Sequence, residues 1–145
     1  MHQIIYTSKA APQLATIGLI AILEQARWFN EANGITGALV YGEDLFTQVL
    51  EGEETVVQGL YERIARDARH QAIRKVADKA IAARTFPNWS MAFRELSAQQ
   101  AAEIVSCVSS AQGEQTPDLG APADERLLTH LQKLVLTREA KENKQ

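Results

Sequence analysis

Gln48 stands in the middle of an apolar run, Phe46-Thr47-Gln48-Val49-Leu50. Its neighbours in side-chain alternation, Phe46 and Leu50, are apolar, so the amide points into the core. A primary amide brings both donors and an acceptor, and leaving one unmade in the interior costs about 1–3 kcal/mol. Something polar must therefore face Gln48. The chain offers Tyr6, in the β-branched and aromatic segment Gln3-Ile4-Ile5-Tyr6-Thr7-Ser8, or room for a polar ligand. Ser8 shares a face with Tyr6 by the same alternation. A second polar set, Arg63, Asp67 and His70, is spaced four and three apart, which places it on one helical face. A solvated Arg–Asp pair followed by a terminal His accounts for that spacing equally well. Asn30 reads as a helix C-terminal residue or as a ligand for something beside it. Trp89 and Met91 alternate onto one face of a last strand and, taken alone, are core residues.

The remaining residues exclude much. There is no Gly-rich phosphate loop, no His paired with a nucleophile and no metal-ligand spacing; His2, His70 and His130 are far apart. A net charge of -3 and a pI of about 5.6 do not suggest a nucleic-acid binder. The single Cys107 rules out an internal disulfide and a Cys-based metal site. The longest apolar run, Ile17 to Leu23, is far too short to span a bilayer, and the N-terminus lacks the pattern of a signal peptide. The chain reads as cytoplasmic, without membrane contact.

The elements that must position these residues follow from the pattern. Strands are predicted at residues 3–8, 35–41, 45–50, 73–81 and 89–96. A helix over 14–30 carries Leu19, Ile22, Leu23 and Ala26 on its apolar side, with Gly34 as a stop signal just beyond. A helix over 53–69 carries Val56, Val57, Leu60, Tyr61 and Ile64 on its stripe. The order β-α-β-β-α-β-β gives an α+β, ferredoxin-like sandwich with an added strand. Two further helices follow, over 97–110 with Ser97 as cap and over 124–138 with Leu127, Leu128, Leu131, Leu134 and Val135 on one side. A loop is predicted over 113–123 and a frayed polar tail over 139–145. The last stripe either covers the open face of the sheet or forms an interface. The chain divides into a unit over 1–96 and a helical extension over 97–145.

Five blocks in this order resemble the BLUF domain family, flavin-based sensors of blue light. They are Ile5-Tyr6-Thr7-Ser8, the segment from Asn30 to Gly37, the segment from Phe46 to Gly52, the segment from Arg63 to His70, and the segment from Phe86 to Met91. The resemblance implies a flavin held noncovalently between the two helices, FAD or else FMN or riboflavin. It implies that Tyr6 donates an electron and a proton to the excited ring, and that Gln48 sits between Tyr6 and the ring. Asn30 would bind the ring's carbonyl and imide edge. Arg63, Asp67, Arg69 and His70 would contact that polar edge or its surroundings, and Ile22, Ile35 and Ile64 would line the ring's faces. Ser8, Trp89 and Met91 would tune the hydrogen-bond network and relay its change to the last strand.

These types suit that role. A phenol can give up an electron and a proton, and an amide can exchange donor and acceptor ends at little change in volume. The resemblance implies a signalling module, not an enzyme, acting through a downstream protein, and often a homo-oligomer. One departure stands out: Phe29 occupies a position where many family members carry Asn or His, which removes a polar contact beside the flavin. Trp28 next to it reads as part of a packed helix end. The rival reading is a cofactor-free regulatory or binding module on the same scaffold. A flavin-dependent redox enzyme has no support, since no nicotinamide-binding sequence is present.

Overall fold

The computed structural model describes residues 1–11, 16–113 and 123–143. Nine elements follow in order: β1 (His2–Ala10), α1 (Thr16–Asn33), β2 (Thr36–Gly42), β3 (Leu45–Gly52), α2 (Glu54–Ala65), β4 (His70–Ala80), β5 (Ala92–Glu95), α3 (Ala98–Gly113) and α4 (Ala123–Asn143). The five strands form one sheet in the order β4-β1-β3-β2-β5. β3 lies antiparallel between β1 and β2, which α1 connects, the split β-α-β arrangement of ferredoxin-like folds. β5 joins the far edge parallel to β2.

The sheet is covered on both faces, so β1 and β3 are buried almost throughout, their polar residues included. One face carries Ile4, Tyr6, Leu39, Phe46 and Leu50 beneath Ile22 of α1 and Val57 of α2. The other carries Ile5, Ala38, Val40 and Val49 beneath Ile104 and Val108 of α3 and Leu127, Leu131, Leu134 and Val135 of α4. Burying a leucine fully contributes about 1.5–3 kcal/mol, so the α4 stripe is a substantial part of the core. Leu127, Leu131, Leu134 and Val135 of that stripe are buried against this face of the sheet.

Local chemistry sets the ends. Gly34 takes φ +70 and the Ile35 N–H reaches the Asn30 carbonyl at 2.9 Å, closing α1 with a Schellman turn. Ser97 and Gln100 cap α3 reciprocally, Oγ accepting from the Gln100 N–H at 3.2 Å and Oε1 from the Ser97 N–H at 3.0 Å.

Four expectations are corrected. α2 ends at Ala65, not Arg69, because Asp67 forms an Asx turn: its Oδ1 accepts the Arg69 N–H at 2.9 Å, and its carbonyl accepts that of His70 at 3.0 Å. β4 consequently begins at His70, three residues before the predicted start at Ile73. Its charged Lys75, Asp78 and Lys79 suit an outer strand of the sheet. β5 spans only Ala92–Glu95, so Trp89 and Met91 precede the strand and alternation does not govern them. α4 runs on through Asn143 where a frayed tail is predicted from Glu139. Of the loop predicted over 113–123, residues 114–122 lie outside the described residues, as do Pro12, read as a chain break, and the last two residues.

Candidate functional site

The opposed faces of α1 and α2 leave a cleft of about 140 Å³ above the sheet. α1 supplies Ile22, Gln25, Ala26, Phe29 and Asn30, at the three- and four-residue spacing of one helix face. α2 supplies Leu60, Arg63 and Ile64, and the turn after it supplies Asp67, Arg69 and His70. Gln48 of β3 also lines the cleft, between the two helices.

Tyr6 and Gln48 lie directly opposite in the β1–β3 register, both on the helix side of the sheet. The fully buried Tyr6 hydroxyl donates to Gln48 Oε1. Burial, with the charges of Tyr61 and Asp67 adding to it, pushes the phenol far above its ordinary pKa, so Tyr6 holds its proton. Gln48 Nε2 in turn donates to Met91 Sδ at 3.4 Å. A thioether is a weak acceptor, so this amide remains able to serve a stronger one in the cleft. The Tyr6 ring meets Tyr61 edge to face, with centroids 5.6 Å apart.

Asn30 is 1% exposed. Its Nδ2 donates to the Ser90 carbonyl at 2.7 Å, while its Oδ1 is buried without a partner among the described residues. Such an acceptor is expensive to leave unmet and calls for a donor. An imide N–H at the edge of a flavin ring is a donor of the required kind, and Gln48 Nε2 beside it offers donation to the adjacent ring carbonyl. The donor and acceptor set therefore fits a flavin.

Around this centre, Ser8 Oγ and His70 Nδ1 are 2.8 Å apart, and the His70 ring lies 5.0 Å from that of Phe46. Burial lowers the His70 pKa, with Asp67 opposing the shift and Arg69 reinforcing it. Asp67 pairs with Arg69 (Nη2–Oδ2 2.6 Å, Nε–Oδ1 3.0 Å) and not with Arg63 as the helical spacing suggested. That pairing holds the Asp67 carboxyl down at about 2. Arg69 Nη2 also crosses the cleft to Gln25 Oε1 at 3.0 Å. The Arg63 guanidinium instead lies 4.7 Å from the centre of the Phe29 ring.

The predicted set is thus partly brought together. Asn30, Gln48, Ile22, Arg63, Ile64, Asp67, Arg69 and His70 line one cleft, with Tyr6 and Ser8 beneath it. Ile35 is buried but lines a neighbouring cleft of about 670 Å³, on the far side of Asn30. Trp89 and Met91 part company: Met91 is buried against Gln48, whereas Trp89 packs with the α3/α4 side of the core. Trp28 is exposed and closes no helix end.

Sequence reasoning passed over the residues that hold the β4–β5 loop. Glu51 is wholly buried and accepts from Gln3 Nε2 at 2.8 Å and from the Thr85 and Phe86 N–H groups at 2.8 and 2.9 Å. Arg84 donates to Thr36 Oγ1, the Glu51 carbonyl and the Gly34 carbonyl, and Arg27 Nε to the Met91 carbonyl at 3.1 Å. The signal was a charge inside an apolar strand, the same anomaly that marks Gln48.

A sheet with a helix-walled cleft, a buried phenol–amide pair at its floor and an unmet acceptor in its wall defines a ligand-binding site on a ferredoxin-like fold. Residues 1–92 match the family model "BLUF: Sensors of blue-light using FAD", and the chain belongs to the BLUF family. Flavin binding and blue-light sensing are the properties of that family, and its unit is a sensor module and not an enzyme.

Two curated relatives from Euglena gracilis are similar: photoactivated adenylate cyclase subunit beta, 34% identical over 87 residues, and subunit alpha, 40% identical over 68 residues. The match takes in 59% and 47% of this chain but only 10% and 7% of those proteins. Among solved structures, the BlsA ground state is 31% identical with a TM-score of 0.72, covering 92% of this chain and 87% of that one. The dark-state structure of BlrB, a BLUF protein, is 29% identical with a TM-score of 0.66, covering 89% and 91%. A bacterial light-regulated adenylyl cyclase is 30% identical with a TM-score of 0.67, covering 77% of this chain and 34% of that one. Among the described residues no helix is long and apolar enough to cross a membrane, and no group of three or more His, Cys, Asp or Glu could hold a metal.

Proposed function

We propose that this chain senses blue light through a flavin, FAD in the first instance, held in the α1/α2 cleft, with Tyr6 and Gln48 as the switching pair. The observation that carries the reading is the Tyr6 hydroxyl donating to the Gln48 amide at the floor of a cleft that the same amide lines. When bound and excited by blue light, a flavin supplies a strong one-electron oxidant. Tyr6 is the buried, protonated phenol able to yield an electron and its hydroxyl proton, and to take both back. Gln48 is the group that changes: its amide reverses donor and acceptor ends within nearly the same volume. Asn30 Oδ1, buried without a partner among the described residues, would accept from the ring's imide edge and so orient it. The exchange alters how strongly the amide donates to the ring carbonyl, and stronger donation there moves absorption to the red.

Residues 1–96 form the sensor on this reading, and α3 and α4 pass its state to a separate signalling protein. The fit of the polar groups to a flavin, and the shared fold with BlsA and BlrB, support it. Absorption spectra in the dark and after blue illumination test it. A yellow protein with a reversible red shift is expected. A purified protein that stays colourless and takes up no added flavin would reduce it to a cofactor-free binding module.

A further inference from the structure

The two arginines of the cleft are held in opposite ways. Arg69 is committed: Asp67 neutralises it and Gln25 accepts from it across the cleft. The Arg63 side chain, in the last turn of α2, has no hydrogen bond or ion pair among the described residues; what holds it is the face of Phe29, 4.7 Å away on α1. Phe29 itself is packed against the helix-side core, so its ring is a fixed platform. A guanidinium lying over an aromatic face keeps its N–H groups available, because the attraction uses its flat surface. Both residues line the cleft.

We infer that Phe29 is the positioning residue for Arg63, holding the guanidinium over the cleft so that it meets an acceptor oxygen of the bound flavin. The inference rests on the flavin reading and deepens it. Without the ring, Arg63 is a long, exposed side chain that must be ordered when the ligand arrives, and that ordering opposes binding. The substitution of a polar residue by Phe29 is then not simply a lost contact, because the aromatic face recruits a cation across the cleft.

Titration of the apoprotein with riboflavin and with FMN, followed by fluorescence, decides this. Phe29→Leu keeps an apolar side chain but no aromatic face, and should weaken flavin affinity roughly two- to fivefold. Phe29→Tyr should bind as the wild type does. In an Arg63→Met background, Phe29→Leu should have no further effect, since the coupled partner is gone. An equal coupling with both ligands places the acceptor on the ring, and a coupling seen with FMN alone places it on the phosphate; either supports the inference. If Phe29→Leu does not fold, Phe29→Met takes its place. Wild-type affinity in the Phe29→Leu protein, or the same loss with Arg63 already removed, overturns the inference and leaves the flavin reading standing. Failure of the wild type to bind either flavin overturns both.

Discussion

At the scale of the residue, the site rests on Tyr6 and Gln48, and their environments make opposite demands. Tyr6 is sealed and its phenol is pushed far above its ordinary pKa, so the proton stays until an electron leaves. Tyr6→Phe should therefore keep flavin bound and the fold intact but lose the red-shifted state, as read by light-minus-dark absorption; an unchanged shift would remove Tyr6 from its role. His70 makes a second prediction. Burial lowers its pKa below the ordinary 6.5, so as pH falls through that value the unfolded chain takes up a proton that the folded chain resists. Stability should fall as pH drops through and below about 6.5, and thermal unfolding of His70→Gln should show a flatter profile there. Gln48 was legible in the sequence because it breaks the apolar pattern of its own strand. The unmet Oδ1 of Asn30 was not, because it depends on which amide end the Ser90 carbonyl engages. The Arg63–Phe29 contact was hidden for a related reason: one partner is on α1 and the other on α2.

At the scale of the element, periodicity located the strands and helices but not the turn that completes the site. The spacing of Arg63, Asp67 and His70 fits a helix, yet the carboxyl of Asp67 captures the Arg69 N–H and ends α2 early. The three residues reach the cleft from a helix, a turn and a strand. The β4–β5 loop is the other element no periodicity describes. Its start is held by Glu51 at Thr85 and Phe86, and its end by Asn30 at Ser90 and by Gln48 at Met91. Glu51→Ala would leave Gln3 and two backbone N–H groups without their acceptor. Unfolding in denaturant should show a loss on the order of 3 kcal/mol, and hydrogen exchange should quicken at Thr85 and Phe86. Unchanged protection at both amides would contradict the anchoring role of Glu51.

At the scale of the whole molecule, the sheet separates two working faces. α1 and α2 hold the switch on one side, and α3 and α4 cover the other. The ferredoxin-like order was legible from the sequence, since each strand and helix was marked by its own pattern. Which surface received the α4 stripe was not, because an apolar helix face fits a sheet and a partner equally well until the bare face is seen. Two links join the halves: Gln132 Nε2 donates to the Thr85 carbonyl at 3.4 Å, and Arg94 Nη1 of β5 to the Leu134 carbonyl at 2.6 Å. Both tie α4 to the loop and strand beside Met91, the route by which a change at Gln48 would reach the far face. All of this depends on the amide being the part that switches. The most direct test is the light-minus-dark absorption spectrum of Gln48→Leu, a variant of similar volume that has no donor or acceptor to exchange. A folded, flavin-loaded protein without the reversible red shift of the wild type is the predicted result, and the same shift surviving in that variant would contradict the account.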